Sequence, residues 1–178
     1  MKIMKKVRVL DMSIFQKHQM KIKIKYEKLN DFDKEVISVL IKKVINKASR
    51  ELKLNEKSKY ELSILITNNQ NIKVLNDKFR KIKKETNVLS FPQVDLNLMK
   101  SSNKLILLGD IVLSLEKIRQ ESKLYSKTFE DHFSHLVLHG FMHLLGFNHE
   151  DHTEAKLMEE KETQILSKLM IKNPYMIN

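Results

Sequence analysis

The stretch His139-Gly140-Phe141-Met142-His143-Leu144-Leu145-Gly146-Phe147-Asn148-His149 carries three histidines, separated by three and then five residues. Six of the seven histidines lie between His132 and His152, and two of the three glycines are Gly140 and Gly146. Leu136, Val137, Leu138, Phe141, Met142 and Leu145 predict a helix with much apolar surface. Residues four apart share a helix face, so His139 and His143 project together. Gly146 reaches left-handed dihedrals without a Cβ clash and can end that helix, letting the chain turn back and carry His149 to the pair. Three neutral imidazoles converging in this way hold Zn²⁺ with one tetrahedral position open, the arrangement of a catalytic rather than a structural site.

The spacing matches the metzincin protease pattern H-E-x-x-H-x-x-G-x-x-H at every position but one, since Gly140 stands where those proteases carry the glutamate that serves as general base. A glycine accepts no proton, which argues against peptide hydrolysis. Read on the motif alone, position 140 lies beside the metal, so that Gly140→Glu should be tolerated and should gain up to about 1 kcal/mol in helix propensity.

The same stretch is similar to the H-G-x-L-H-L-x-G-Y-D-H signature of the YbeY family, metal-dependent endoribonucleases of ribosomal RNA maturation. Met142 replaces the family's Leu, Phe147 its Tyr and Asn148 its Asp. The first two exchanges keep size and apolar character; the third turns a carboxylate beside the third histidine into an amide. Two further segments agree, Leu75 to Pro92 (L-N-D-K-F-R-K-I-K-K-E-T-N-V-L-S-F-P) and Leu108 to Ser114 (L-G-D-I-V-L-S). Together the matches cover most of the span from Leu75 to Glu150. The resemblance implies a single-strand-preferring endoribonuclease acting on ribosomal RNA precursors, in contact with the ribosome or its proteins. It also implies His139, His143 and His149 as ligands of one metal ion, with Arg80 and His139 as catalytic residues.

Residue chemistry supports the metal ligands directly, whereas Arg80 by position alone is a surface residue closing a short helix, and the resemblance is what makes it catalytic. Zinc suits three imidazoles best, although other divalent transition metals bind such sites. It lowers the pKa of a bound water from about 15.7 toward about 7, so a lost protease glutamate matters less. Phosphodiester cleavage builds negative charge on the phosphoryl oxygens, which the planar fork of Arg80 can hold. Lys78, Lys81, Lys83 and Lys84 flank it, five basic residues in seven, a candidate RNA-tracking patch.

Length and composition bound the rest. At 178 residues the chain suits one hydrolase domain, placed over residues 20–172, after a basic N-terminal extension (1–19) and before a short tail (173–178). Cysteine is absent, which excludes thiol catalysis and a zinc ribbon and fits a reducing cytoplasm. No run approaches the roughly 18 apolar residues of a membrane span, and nothing resembles a secretory signal. Net charge is +11, with nine Lys or Arg against two acids in residues 1–30 and six acids against two Lys from Glu150 to Glu162. A basic surface suits RNA, although most lysines in a chain this rich in Lys, Ile and Asn are solvated surface.

Taken in order, Met20 to Glu27 alternates as a half-buried strand with Ile22, Ile24 and Tyr26 on one face. Asp31 or Asp33 caps a helix to Leu52, with Val36, Val39, Leu40, Lys43, Val44 and Ala48 as its stripe. Tyr60 to Thr67 is a second strand, followed by a turn at Asn68-Asn69 and a short helix from Ile72 to Arg80 that buries Val74, Leu75 and Phe79. Val88 to Phe91 is a strand stopped by Pro92, Val94 to Lys104 a loop, and Leu105 to Leu113 a buried central strand. Ser114 and Thr128 cap the next two helices, the second of which carries the histidines. A last amphipathic helix from Glu150 to Met170 has Leu157, Ile165, Leu166 and Leu169 as its core face. The order implies an α+β fold, a mixed sheet of about four strands covered by helices, one of which bears the metal ligands.

Remaining polar residues have competing readings. His135 and His132 precede His139 on nearly the same face, but one straight helix carries each turn about 5.4 Å further from the metal, so packing or support of a ligand suits them better than ligation. His152 belongs to solvent, and Glu150 and Asp151 either transfer protons or open the last helix. Asp110, a carboxylate in an apolar strand, needs a partner: a ligand histidine's second nitrogen or a backbone group. Thr86, Asn87 and Ser90 bond RNA or their own turn.

Overall fold

The structure, a computed structural model, describes residues 19–27, 30–93 and 105–176. The expected N-terminal extension (Gln19 apart) and the expected loop from Val94 to Lys104 lie outside them. In chain order the elements are β1 (Gln19–Tyr26), α1 (Asp31–Glu51), β2 (Lys59–Thr67), α2 (Asn69–Arg80), β3 (Val88–Pro92), β4 (Leu105–Ser114), α3 (Leu115–Leu124), α4 (Phe129–Leu144) and α5 (His152–Ser167). The four strands form one sheet in the order β1-β2-β4-β3. β1, β2 and β4 are parallel and β3 joins the edge antiparallel to β4, so the fold is α+β with a mixed sheet, as expected. Among the described residues no helix is long and apolar enough to cross a membrane.

Strand alternation decides what each sheet face meets. Tyr60, Leu62, Ile64 and Ile66 are buried in the large core with α1 and α4, while Leu65 faces a smaller cluster of Ile72, Leu75, Leu89, Phe91 and Val112 under α2. In β4 the alternation changes phase. Ile106 and Leu108 enter the large core, then Ile111 and Leu113 do, because the register against β2 slips at Glu61/Leu62. Gly109 sits at this bulge with φ 130°, and a Cβ there would come within 2.2 Å of the Phe91 carbonyl oxygen, so no other residue fits. The apolar run of β4 therefore reads as continuous because a bulge joins two half-periods, although Leu105 and Leu107 at its start are exposed.

Several expected helix faces rotate in the folded chain. In α1 the buried stripe is Ile37, Ile41, Val44, Ile45 and Ala48, and Val39 is 59% exposed. Its cap is Asn30, whose side chain accepts the Asp33 N–H, with Asp31 and Asp33 in the first turn instead. Asn68, expected in a turn, caps α2 by accepting from the Asn71 N–H. That helix buries Ile72 and Asn76, leaving Val74 and Phe79 exposed. In α5 Met158 is buried and Leu157 exposed, with Asp151 as the cap. Ser114 and Thr128 cap α3 and α4 as expected.

Candidate metal centre

Helix α4 lies against α1, α3 and the β3–β4 part of the sheet. It approaches the sheet closely because residue 140 has no side chain. A Cβ on Gly140 would stand 3.1 Å from Ile111 Cγ2, 3.1 Å from Ser90 Oγ and 3.3 Å from Val88 Cγ2. This overturns the expectation that position 140 borders the metal. Gly140 faces the sheet and is a packing residue, so the glutamate of the protease motif would have to displace Ile111, Ser90 and Val88 here.

The C-terminal end of α4 builds the turn that the motif required. Gly146 has φ 87°, the Phe147 N–H bonds the Met142 carbonyl at 3.1 Å, and the Gly146 N–H bonds the His143 carbonyl at 3.0 Å. These are the two bonds of a Schellman cap, and Phe147 packs against the core beside it. The turned-back chain brings His149 to His139 and His143, whose ring centroids lie 4.6 Å apart and 5.4 and 4.9 Å from that of His149. One ring nitrogen from each of the three falls within 4.8 Å of the others. His139 and His143 are partly buried and His149 is exposed, so the cluster opens to solvent on the His149 side. Asn148 Oδ1 accepts the His149 backbone N–H at 3.0 Å, a bond that its amide forms as well as the family's carboxylate would.

Partners of the outer nitrogens fix the protons. The Phe147 carbonyl only accepts, so His143 Nδ1, 3.0 Å away, must donate. Glu162 Oε1 lies 2.9 Å from His139 Nδ1 and stands in the same relation. Both Nε2 atoms are then left with lone pairs, and they face each other at 3.0 Å. Two opposed lone pairs repel unless a cation lies between them. A zinc ion with N ligands at about 2.0–2.1 Å places its ligands at comparable separations, so this donor set fits a metal.

Electrostatics agree with a neutral, metal-ready pair. Burial, reinforced by His139 and His149, pushes His143 down from 6.5 to about 4. Burial opposes ionisation of Glu162, but hydrogen bonds from His135 and His139 outweigh it and bring the group down to about 2. Burial also lowers His135, while burial and the Glu162 charge raise Tyr175. The sign follows from each shift. An unfolded chain protonates His143 near 6.5 whereas the fold resists until about 4, and Glu162 loses its contribution between 4.5 and about 2. The melting temperature of metal-free protein should therefore fall steadily on acidification from pH 6.5, and a flat profile between 6.5 and 4 would contradict this arrangement of charges.

Other expected site residues take different places. Arg80 ends α2, exposed, and among the described residues no hydrogen bond, ion pair or ring contact joins it to the histidines. Lys78, Lys81, Lys83 and Lys84 are exposed too, and among the described residues none of the five cations is paired with a carboxylate. The loop from Lys81 to Lys84 that follows the helix is held from beneath, where buried Asn76 donates through Nδ2 to the Lys84 carbonyl at 2.8 Å. Asn87 is shared, accepting from the Val88 N–H and donating to Glu121. Asp110 takes neither of its expected partners: it lies in the groove under α2 and accepts from Gln93 Nε2 at 2.7 Å. His152 is exposed at the start of α5. His132 is buried against Glu121, and His135 Nε2 lies 3.0 Å from Glu162 Oε2.

Two residues that sequence reading overlooked complete the cluster's inner side. Glu162 has no exposed surface, and Tyr175 donates its hydroxyl to Glu162 Oε2. A signal existed for the first. Glu162 falls on the stripe Met158-Glu162-Ile165-Leu166-Leu169, an acid at a core position, which demands a partner. Tyr175 carried no such signal, lying past Pro174 beyond the last helix.

Known proteins resemble this chain over most of its length. The sequence profile described as endoribonuclease YbeY matches residues 21–170. An endoribonuclease YbeY from Bartonella bacilliformis is 41% identical over 143 residues, covering 80% of this chain and 89% of its own. The solution structure of TM1509 from Thermotoga maritima superposes with a TM-score of 0.50 over 84% of this chain and 91% of that one, at 18% identity, and supports the fold alone. With the profile spanning nearly the whole chain and the three histidines, their Schellman turn and the Arg80 segment inside the matched region, this chain belongs to the YbeY endoribonuclease family.

Proposed function

We propose that this protein is a metal-dependent, single-strand-preferring endoribonuclease of ribosomal RNA maturation, working in the cytoplasm in contact with the ribosome or its proteins. Its hydrolase domain spans residues 20–172, between the 1–19 extension and the 173–178 tail, and binds one zinc ion through His139, His143 and His149. The observation that carries the reading is the pair of Nε2 lone pairs opposed at 3.0 Å, which a cation reconciles. The RNA substrate rests on family membership, with the exposed cations around Arg80, which pair with no carboxylate among the described residues, in support.

His139, His143 and His149 would hold the zinc, which would supply Lewis acidity toward a phosphoryl oxygen and toward water. His139 and His143 keep their Nδ1 protons on fixed acceptors and so present Nε2 without rearrangement. His149, at the exposed side, leaves room for a phosphodiester to approach. Arg80 holds the phosphoryl oxygens as charge builds, and Lys78, Lys81, Lys83 and Lys84 track neighbouring phosphates. Gly140 supplies no general base, which separates this site from a protease.

Metal-loaded protein should cut labelled structured RNA and leave casein intact, and the reverse result would install the protease reading. Arg80→Ala should lower RNA cleavage on the order of 10²-fold, with zinc content and melting temperature nearly unchanged. Arg80→Lys should recover only part of the loss, because a point charge lacks the bidentate fork. Cleavage by the alanine variant at the parent rate would make Arg80 a surface residue without a catalytic part.

A further inference from the structure

We infer that Glu162 is the positioning residue of the metal centre: its buried carboxylate holds His139 in the Nδ1–H tautomer and aims Nε2 at the ion. The inference rests on the zinc reading above. It starts from Glu162 having no exposed surface while its two oxygens serve three donors. His139 Nδ1 lies 2.9 Å from Oε1, His135 Nε2 lies 3.0 Å from Oε2, and the Tyr175 hydroxyl donates to Oε2 as well. A buried carboxylate is destabilising unless its lone pairs are filled, and these three donors from α4 and the C-terminal segment fill them.

Each neighbour is itself constrained. Among the described residues buried His135 Nδ1 has no hydrogen-bond partner, so its proton belongs on Nε2, where Glu162 receives it. The segment bearing Tyr175 is held in place as Lys127 Nζ donates to the Pro174 carbonyl at 2.6 Å and the Tyr175 N–H to Asn173 Oδ1 at 2.9 Å. The carboxylate thus cannot swing away, and it leaves His139 one tautomer. His143 gets the same service from the Phe147 carbonyl, so the two helical ligands are oriented by different devices, one from the Schellman turn and one from α5.

His135, His139 and Glu162 are themselves close enough to hold an ion. Hydrogen bonds of 2.9 and 3.0 Å already saturate that triangle, and an ion there would have to strip the proton from His139 Nδ1. The geometry thus favours support over ligation.

The test uses the full chain stripped of metal, with zinc affinity and stoichiometry read by competition against a chromophoric chelator. Glu162→Gln should bind one zinc 10- to 100-fold more weakly than the parent, the range expected when an outer-sphere partner of a ligand is lost. Glu121→Gln, which disturbs the comparable buried pair with His132 but touches no ligand, should lower the melting temperature and leave zinc affinity unchanged. Histidine ¹⁵N spectra of the unmodified metal-free protein should show His139 as the Nδ1–H tautomer, a result that needs no variant to fold. His139 found as Nε2–H, or Glu162→Gln binding zinc within about threefold of the parent, would overturn the assignment. So would a parent binding two zinc ions and a Gln variant binding one, since Glu162 would then be a ligand. A parent that binds no zinc would sink the metal reading instead, while the tautomer would still decide the part played by Glu162.

Discussion

Replacing His139, His143 and His149 together with alanine should leave a folded protein that holds no metal. The parent, purified without chelator, should carry close to one equivalent of zinc by elemental analysis, and the triple variant none. Stability gives a second readout. Ligand present at 1,000 times its dissociation constant stabilises the fold by about 4 kcal/mol. For a domain of this size that raises the melting temperature by on the order of 10 °C. The variant should show no such rise on adding zinc. Its metal-free melting temperature should lie below the parent's, because losing His139 takes from buried Glu162 one of its three donors, and relief of the opposed Nε2 atoms offsets only part of that. His152→Ala should behave as the parent in both assays, because that ring is exposed at the start of α5 and is no part of the cluster. One tightly held equivalent in the triple variant would place the metal elsewhere.

The second large effect lies one residue from the first ligand. Gly140→Glu restores the protease motif letter for letter, yet it should cripple the fold. The new Cβ would meet Ile111, Ser90 and Val88 at 3.1 to 3.3 Å, and the remaining side-chain atoms would have to enter the seam between α4 and the sheet. Overpacking of this kind costs about 1–3 kcal/mol, and burying an unpaired carboxylate adds to it. Against this, helix propensity returns up to about 1 kcal/mol. A net loss of at least about 3 kcal/mol corresponds to a melting temperature lowered by on the order of 10 °C, or to a protein recovered only as aggregate. Gly140→Ala, which adds the Cβ alone, should sit between parent and Glu variant. A Glu variant melting within about 2 °C of the parent would mean that α4 stands further from the sheet and that residue 140 borders the metal after all.

The two results locate where sequence reading succeeds. The spacing of His139, His143 and Gly146 is local, and local rules govern it: helix periodicity puts the pair on one face, and the glycine's access to positive φ turns the chain back toward His149. Strand order along the chain and the apolar runs were equally legible, as were Ser114 and Thr128, whose capping involves only the residues that follow them. Rotational errors in α1, α2 and α5 share one cause. When apolar residues exceed what one face can hold, as with Val36, Val39 and Ile37, periodicity admits several stripes, and only the sheet beneath selects one.

What the tertiary structure alone decided depends on residues far apart in the chain. Gly140 looked like a lost catalytic base because the motif lists neighbours along the helix and says nothing of Ser90, Ile111 and Val88 across it. Gly109 needs its glycine because the Phe91 carbonyl closes on it from β3. Glu162 reaches His139 from 23 residues along the chain, and Tyr175 reaches Glu162 from the C-terminal segment, a convergence no local pattern encodes. By itself the sequence determined which three imidazoles gather, since that follows from helix geometry and one turn. Which proton each imidazole carries was settled by the fold, because a tautomer is set by the acceptor facing the second nitrogen, and those acceptors come from the turn beyond the helix and from α5.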